Sequence, residues 1–377
     1  MKRICILLAL LLILPVPVSA LEIEAKSAIL IDVPTGTVLF EQNPHERLAP
    51  ASVTKIMTML LILEALDSGQ LAMTDTVTAS EAAAAKGGSQ VYLKVGETMT
   101  VSDMLKSIAV SSANDCACAM AEHLAGTEAA FVERMNQRAR ELGMNDTHFV
   151  NCTGLDDSPE AENHRTSAHD IALMSRQLLK YHPKIKEFTT IWMETIINGT
   201  FGLSNTNKLV RFYPGATGLK TGYTAQAGYC LSASAQREGL ELIAVVMGSK
   251  TSPQRNEACR QLLDLGFSTY ALIEPDLTEA DTTIPVKLGK QPCTTARLGA
   301  DTALLIEKAK KDTVTTQVEL VDVLTAPVAE GQQVGTLTVR SGQEILSQIP
   351  LTAREAVERL TYWQIFTKIL RQWALGK

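Results

Sequence analysis

The sequence has no surplus of positive charge: 35 Lys and Arg stand against 41 Asp and Glu over 377 residues, a formal net charge of −6. A nucleic-acid binder needs a basic face to neutralise phosphates, so that class is excluded. Metal-holding spacings are missing too. His45, His123, His148, His164, His169 and His182 show no H-x-x-x-H pattern, and the cysteines form neither a zinc ribbon nor a CxxC pair. No metal site and no cofactor are therefore expected, and a metallopeptidase is disfavoured. Long apolar runs are absent beyond the N-terminus, which excludes a membrane-spanning bundle. What remains, with 46% hydrophobic and 20% charged residues, is a globular chain long enough for two or three domains.

The N-terminus reads as an export signal. Lys2 and Arg3 precede an apolar stretch from Ile4 to Leu14, Pro15 and Pro17 break it, and Val18-Ser19-Ala20 offers a cleavage site. Cleavage after Ala20 removes two positive charges, taking the balance from −6 to −8, and leaves six cysteines: Cys116, Cys118, Cys152, Cys230, Cys259 and Cys293. These are expected as small buried hydrophobes. One disulfide among them stays open, although Cys116 and Cys118, two apart on a helix, point to different sides and should not pair.

Residues 21–275 mix strands and helices. Ala28–Asp32, the turn Pro34-Thr-Gly36 and Thr37–Phe40 read as a β-hairpin. Ser52–Leu66 is apolar on nearly every face, the mark of a central buried helix. Helices over Asp103–Val110 and Asp115–Leu124 are separated by Ser111-Ser112-Ala113-Asn114; Phe131–Leu142, Ile171–Lys180 and Gln254–Leu265 are further helices. Gly228–Ala235 and Leu240–Met247 are strands, so one sheet draws on both ends of an α+β domain with helices between. Residues 276–350 change character. Thr282–Leu288, Val314–Leu324, Gln333–Val339 and Glu344–Ile349 predict a small all-β domain.

Three short constellations carry the candidate chemistry. In Ser52-Val-Thr-Lys55 a hydroxyl and an amine sit one helical turn apart. Serine needs a base, and a desolvated lysine can have its pKa lowered enough to be that base. In Ser112-Ala-Asn114, an interhelical loop, a hydroxyl and an amide can share a cleft. Lys220-Thr-Gly222, followed by Tyr223, puts a cation and a hydroxyl at a strand edge, suited to a carboxylate, with a glycine that admits close backbone approach. Taken singly each has an ordinary reading: an N-cap serine with a surface lysine, a helix cap, a strand-edge lysine. Each occurs once, in this order and in fitting local context, and that combination reverses the balance.

The triplet S-x-x-K, S-x-N, K-T-G resembles that of class A β-lactamases and penicillin-binding proteins. The wider sequence resembles the serine D-alanyl-D-alanine carboxypeptidases among the low-molecular-mass penicillin-binding proteins. The matching stretches are Arg47–Thr58, Ser112–Asp115, Thr147–Asn151 with Gly154-Leu155, Tyr213-Pro-Gly215 and Gly218–Thr224. The resemblance implies a β-lactamase/transpeptidase-like fold, a sheet flanked by helices with a helical subdomain. It implies Ser52 as acyl-ester nucleophile, Lys55 as general base, Ser112 as proton relay and Asn114 as the residue orienting substrate. Lys220 and Thr221 would bind the terminal carboxylate with help from Arg255, Gly222 would belong to the substrate-binding strand, and the backbone N–H groups of Ser52 and Tyr223 would hold the oxyanion. Partners implied are peptidoglycan stem peptides, with β-lactams as inhibitors. Two departures stand out: Ala113 where glycine is common, and Tyr223 where some members carry histidine. The alternatives are a serine β-lactamase-like hydrolase, a D,D-endopeptidase, or a non-catalytic wall-binding protein. No E-x-x-L-N-like stretch stands between the second and third motifs to supply a class A deacylating glutamate.

Residues 351–377 are read as an amphipathic, membrane-associating helix. From Tyr362 onward there is no acid; Lys368, Arg371 and Lys377 are basic, and Trp363, Phe366, Ile369, Leu370 and Trp373 recur at helical spacing. Such a helix lies in the lipid interface, and the resemblance implies the same anchor. The competing reading is a helix packed on the β-domain. The expected location is the outer face of the cytoplasmic membrane.

Overall fold

The computed structural model describes residues 22–196, 199–278, 280–299 and 302–374. The export signal expected over residues 1–20 and the basic Lys377 lie outside them.

An antiparallel five-stranded sheet forms the centre of the larger region. Its strands are β1 (Ser27–Asp32), β2 (Val38–Gln42), β3 (Ala216–Thr224), β4 (Gly228–Arg237) and β5 (Leu240–Ser249). Their spatial order is β2-β1-β5-β4-β3, so the first strand lies against the last. Ser27 faces Met247 and Asp32 faces Leu242 across that seam. The strands alternate with period two, yet both faces are apolar. Ile29, Ile31, Ile243, Val245 and Met247 point to one core, and Ala28, Leu30, Leu242, Ala244 and Val246 to the other.

The helices divide accordingly. The first core takes α1 (Lys55–Asp67), α2 (Val101–Lys106), α3 (Asn114–Ala125), α4 (Glu128–Glu141) and α5 (Ala168–Tyr181); the second takes α6 (Ser252–Thr269). The N-cap signals behave as their chemistry requires. Ser167 accepts from the N–H of Asp170, and Thr251 from that of Gln254. All of α1 except Leu61, Glu64, Leu66 and Asp67 is buried, as its unbroken apolar surface predicts.

Several boundaries differ from the sequence expectation. The α-helix begins at Lys55, not Ser52. Residues Ala51–Thr54 form a 3-10 turn, entered through Ala51 with φ +48°, so the chain arrives at α1 by a tight corner. Two small hairpins, Thr76–Thr78 with Thr98–Thr100 and Met193–Ile196 with Phe201–Ser204, were not expected.

The second region is a six-stranded sheet of β6 (Thr283–Lys287), β7 (Cys293–Leu298), β8 (Val314–Leu320), β9 (Leu324–Thr325), β10 (Gln333–Ser341) and β11 (Glu344–Ala353), in the order β8-β10-β11-β7-β6-β9. It is joined to the first by a ladder of Tyr270–Ile273 with Leu304–Glu307. The final strand continues to Ala353, and residues 354–360 stay on this domain through bridges from Val357 to Val328 and from Arg359 to Gly289. The terminal helix α7 (Tyr362–Ala374) therefore starts about ten residues later than expected. Its start is fixed by a reciprocal capping box: Thr361 N donates to Gln364 Oε1, and Gln364 N to Thr361 Oγ1.

The six cysteines among the described residues are free. Cys116, Cys118, Cys152, Cys230 and Cys259 are buried and Cys293 is exposed.

Candidate active site

Ser52 and Lys55 meet at the corner leading into α1. Lys55 Nζ lies 2.9 Å from Ser52 Oγ, 2.5 Å from Asn114 Oδ1 and 2.9 Å from the carbonyl of Thr153. The ammonium is fully buried, and burial pulls its pKa down to about 7, against weaker opposing pulls from Cys152 and Asp115. Asn114 cannot present its other face, because its Nδ2 donates to the Gly87 carbonyl at 2.7 Å and a carbonyl only accepts.

That geometry fixes the direction of the amine's lone pair. Asn114 Oδ1 and Thr153 O can only accept hydrogen bonds. When Lys55 loses its proton, its two remaining hydrogens stay with them and the lone pair faces the third neighbour, Ser52 Oγ. The arrangement turns deprotonated Lys55 into a base aimed at the hydroxyl.

The surroundings hold this geometry from several sides. Val150 N donates to His164 Nδ1 at 3.2 Å, so His164 Nε2 carries the hydrogen directed at Thr54 Oγ1, 2.8 Å away. Thr54 in turn donates to Ala51 O at 2.8 Å, fixing the turn that carries Ser52. Burial drives the His164 pKa down to about 3 and keeps the ring neutral. The Thr153 carbonyl sits on a turn nucleated by Asn151, whose Oδ1 accepts from the N–H groups of Thr153 and Gly154. Gly154 has φ +81°, and a Cβ there would fall 1.8 Å from Ala51 O; only glycine lets this turn close on the corner.

The second constellation faces the first. A π-type turn over Ser107–Ser111 ends at Ser112, which is 4% exposed and left-handed at φ +68°. A buried non-glycine residue held there is the kind of strain found at functional sites. Asn114 opens α3, and Asp115 accepts from Val91 N and Leu93 N, fastening residues 87–93 beside the cleft.

The third constellation lies on β3, one of the two edge strands of the sheet. Its backbone runs against the Ser52 corner: a Cβ on Gly222 would be 2.8 Å from Pro50 O and 3.0 Å from Ser52 N. The Ser52 amide is thus brought beside the strand, one residue from Tyr223. Lys220 is fully buried with Nζ on the Thr221 carbonyl at 2.9 Å. Burial, then the nearby Lys55 and Arg255 charges, push its pKa well down. Thr221 Oγ1 donates to Thr206 Oγ1 at 2.7 Å. Arg255, at 5% exposure, bonds Asn256 Oδ1 and Ser252 Oγ. Its guanidinium lies over Tyr229, whose ring pairs with that of Tyr223 at 4.3 Å.

Ser52, Lys55, Asn114, Lys220 and Arg255 are therefore gathered by direct bonds or mutual charge, and Gly222 and Tyr223 border Ser52. Sequence reasoning missed the Thr153 carbonyl, the Thr54–His164 brace and Thr206. A backbone acceptor leaves no mark in residue type. His164 is buried and structural, bracing the Ser52 turn through Thr54.

The chain is similar to known proteins over most of its length. Residues 15–251 match the family model described as D-alanyl-D-alanine carboxypeptidase, and residues 267–359 match the penicillin-binding protein 5 C-terminal domain. The chain is 43% identical over 366 residues to the D-alanyl-D-alanine carboxypeptidase DacF of Bacillus subtilis (strain 168), covering 95% of this chain and 92% of that protein. Among solved structures, penicillin-binding protein 5 from Haemophilus influenzae superposes with a TM-score of 0.75 at 30% identity, over 91% of this chain and all of that one. Penicillin-binding protein D2 from Listeria monocytogenes in its ampicillin-bound form gives 0.60 at 32% identity, over 66% of this chain and 99% of that one.

Proposed function

The chain belongs to the D-alanyl-D-alanine carboxypeptidase family, and from that premise we propose how its own residues release the terminal D-alanine of peptidoglycan stem peptides. It is a serine-type carboxypeptidase, a hydrolase of the penicillin-binding class. The observation that carries the mechanism is the buried amine with two fixed acceptors and one hydroxyl around it.

Neutral Lys55 takes the proton of Ser52 as Oγ attacks the carbonyl of the D-Ala-D-Ala bond. The oxyanion is met by the N–H groups of Ser52 and Tyr223; losing one such donor typically costs about 10²–10³ in rate. The proton passes from Lys55 through Ser112 to the leaving amine, D-alanine departs, and Asn114 holds both lysine and substrate. Water then attacks the acyl ester, its proton going to Lys55 and finally back to Ser52 Oγ as the tetrapeptide leaves. Lys220, Thr221 and Arg255 receive the terminal carboxylate. A β-lactam acylates the same serine.

The two nearest tests use one reaction. D-alanine release from a pentapeptide and a penicillin adduct mapped to the Ser52 peptide by intact and peptide mass are both expected, and both vanish in Ser52→Ala. Release surviving in Ser52→Ala would overturn the assignment.

The work takes place outside the cytoplasmic membrane, with α7 lying on its outer surface. Supporting this, Trp363, Phe366, Ile369, Leu370 and Trp373 are 46–84% exposed, uncovered by the β-domain, while no helix among the described residues is long and apolar enough to cross a membrane. The full chain should float with vesicles containing anionic lipid and a chain ending at Leu360 should not; equal flotation of the two would rule out this attachment.

A further inference from the structure

We propose that Thr206 is a specificity-determining residue: through the hydroxyl of Thr221 it selects substrates that carry a free terminal carboxylate. The inference rests on the catalytic reading above, in which Thr221 receives that carboxylate.

Thr206 is displayed by its neighbours. Asn205 and Asn207 are buried, at 6% and 1% exposure, while Thr206 between them is exposed. Asn205 Nδ2 donates to the carbonyls of Thr189 and Ile191. Asn207 Nδ2 donates at 3.0 Å to Gly218 O, on β3 itself. The Thr206 N–H donates at 3.1 Å to Val110 O, two residues before Ser112. The segment is a strap from the helical wall of the cleft to the K-T-G strand, and the one side chain it turns outward meets Thr221 at 2.7 Å.

The direction of that bond matters. A threonine hydroxyl has one proton, and Thr221 gives its proton to Thr206. A carboxylate can only accept, so when one arrives the Thr221 proton turns to it. The contact with Thr206 then survives only if the Thr206 hydroxyl reverses and donates. A hydroxyl can serve in both states; a methyl group in neither. The resulting chain, Thr206 O–H to Thr221 O–H to carboxylate, is polarised by the ligand charge and strengthens the final bond. An ester or amide terminus lacks that charge and gains little from the chain.

The test compares second-order acylation of Ser52 by benzylpenicillin and by its carboxyl methyl ester, followed by intact mass. In Thr206→Val the rate with the free acid is expected to fall about tenfold, the range of a hydrogen bond to a charged group, and the rate with the ester to change less than twofold. Thr206→Ala should behave alike, and Thr206→Ser should keep the wild-type ratio. An acid-to-ester ratio unchanged in both Val and Ala variants would overturn the proposal, as would loss of the ratio in Thr206→Ser. Failure of the wild-type enzyme to form any Ser52 adduct would instead refute the nucleophile assignment.

Discussion

The two regions of the chain treat buried charge in opposite ways. Every buried Asp, Glu, Lys and Arg among the described residues lies in the catalytic region: Asp32, Lys55, Asp115, Asp170, Lys220, Glu241 and Arg255. The β-domain core is Ile284, Val286, Val334, Leu337, Val339, Leu351 and similar residues, and its ion pairs Lys290–Glu358, Arg297–Glu330 and Lys310–Glu344 stay on the surface.

Within the catalytic region one buried acid, Glu241, has a cation beside it in Lys186. Asp32 is held by Thr35, Asp115 by backbone N–H groups and Asp170 by Asp146 N and Thr147. The three basic side chains likewise hydrogen-bond neutral acceptors. Burying cations without a counter-charge is costly and would be removed by any ordinary core. Here it holds a base in its neutral form and leaves a place for an anionic group. Among the described residues the β-domain buries no charged side chain, whereas the catalytic region, which also holds the two larger apolar cores, buries Lys55, Lys220 and Arg255 around Ser52.

That contrast can be broken at a glycine. Gly222→Ala pushes a methyl group into the backbone of Pro50 and Ser52; D-alanine release should fall about 10²-fold, the scale of a displaced oxyanion donor. Gly299→Ala, with nothing within 4 Å, should leave rate and melting temperature alone. Similar effects at the two sites would contradict the close approach of strand and nucleophile. The smallest effect is expected on the β-domain surface. Arg297→Ala and Lys310→Ala should leave D-alanine release unchanged and move the melting temperature by no more than about 1–2 °C. A large drop in activity would make that domain part of the site.

Much of this contrast was readable in the residues. The buried helix carrying Lys55, the pairing of β1 with the late strands, and a cation at an edge strand all follow from periodicity and motif order. Three features did not. Ser52 sits on a 3-10 turn because Ala51 takes a left-handed conformation, which no propensity signals in an alanine. Strand β7, Cys-Thr-Thr-Ala-Arg-Leu, buries only Thr294 and Ala296, so its inward positions lack the large apolar side chains that betray a strand. Thr206 is one of many exposed threonines until the fold sets it against Thr221.

The central claim, a buried lysine deprotonated near neutrality and aimed at Ser52, is tested most directly by the pH dependence of Ser52 acylation by benzylpenicillin. Burial lowers the Lys55 pKa from 10.5 to about 7, so the neutral, active form is lost as pH falls through that value and complete above it. The acylation rate should climb tenfold per pH unit below about 7 and level off above it. A rate flat from pH 5 to 9, or one still rising steadily toward 10, would contradict the account.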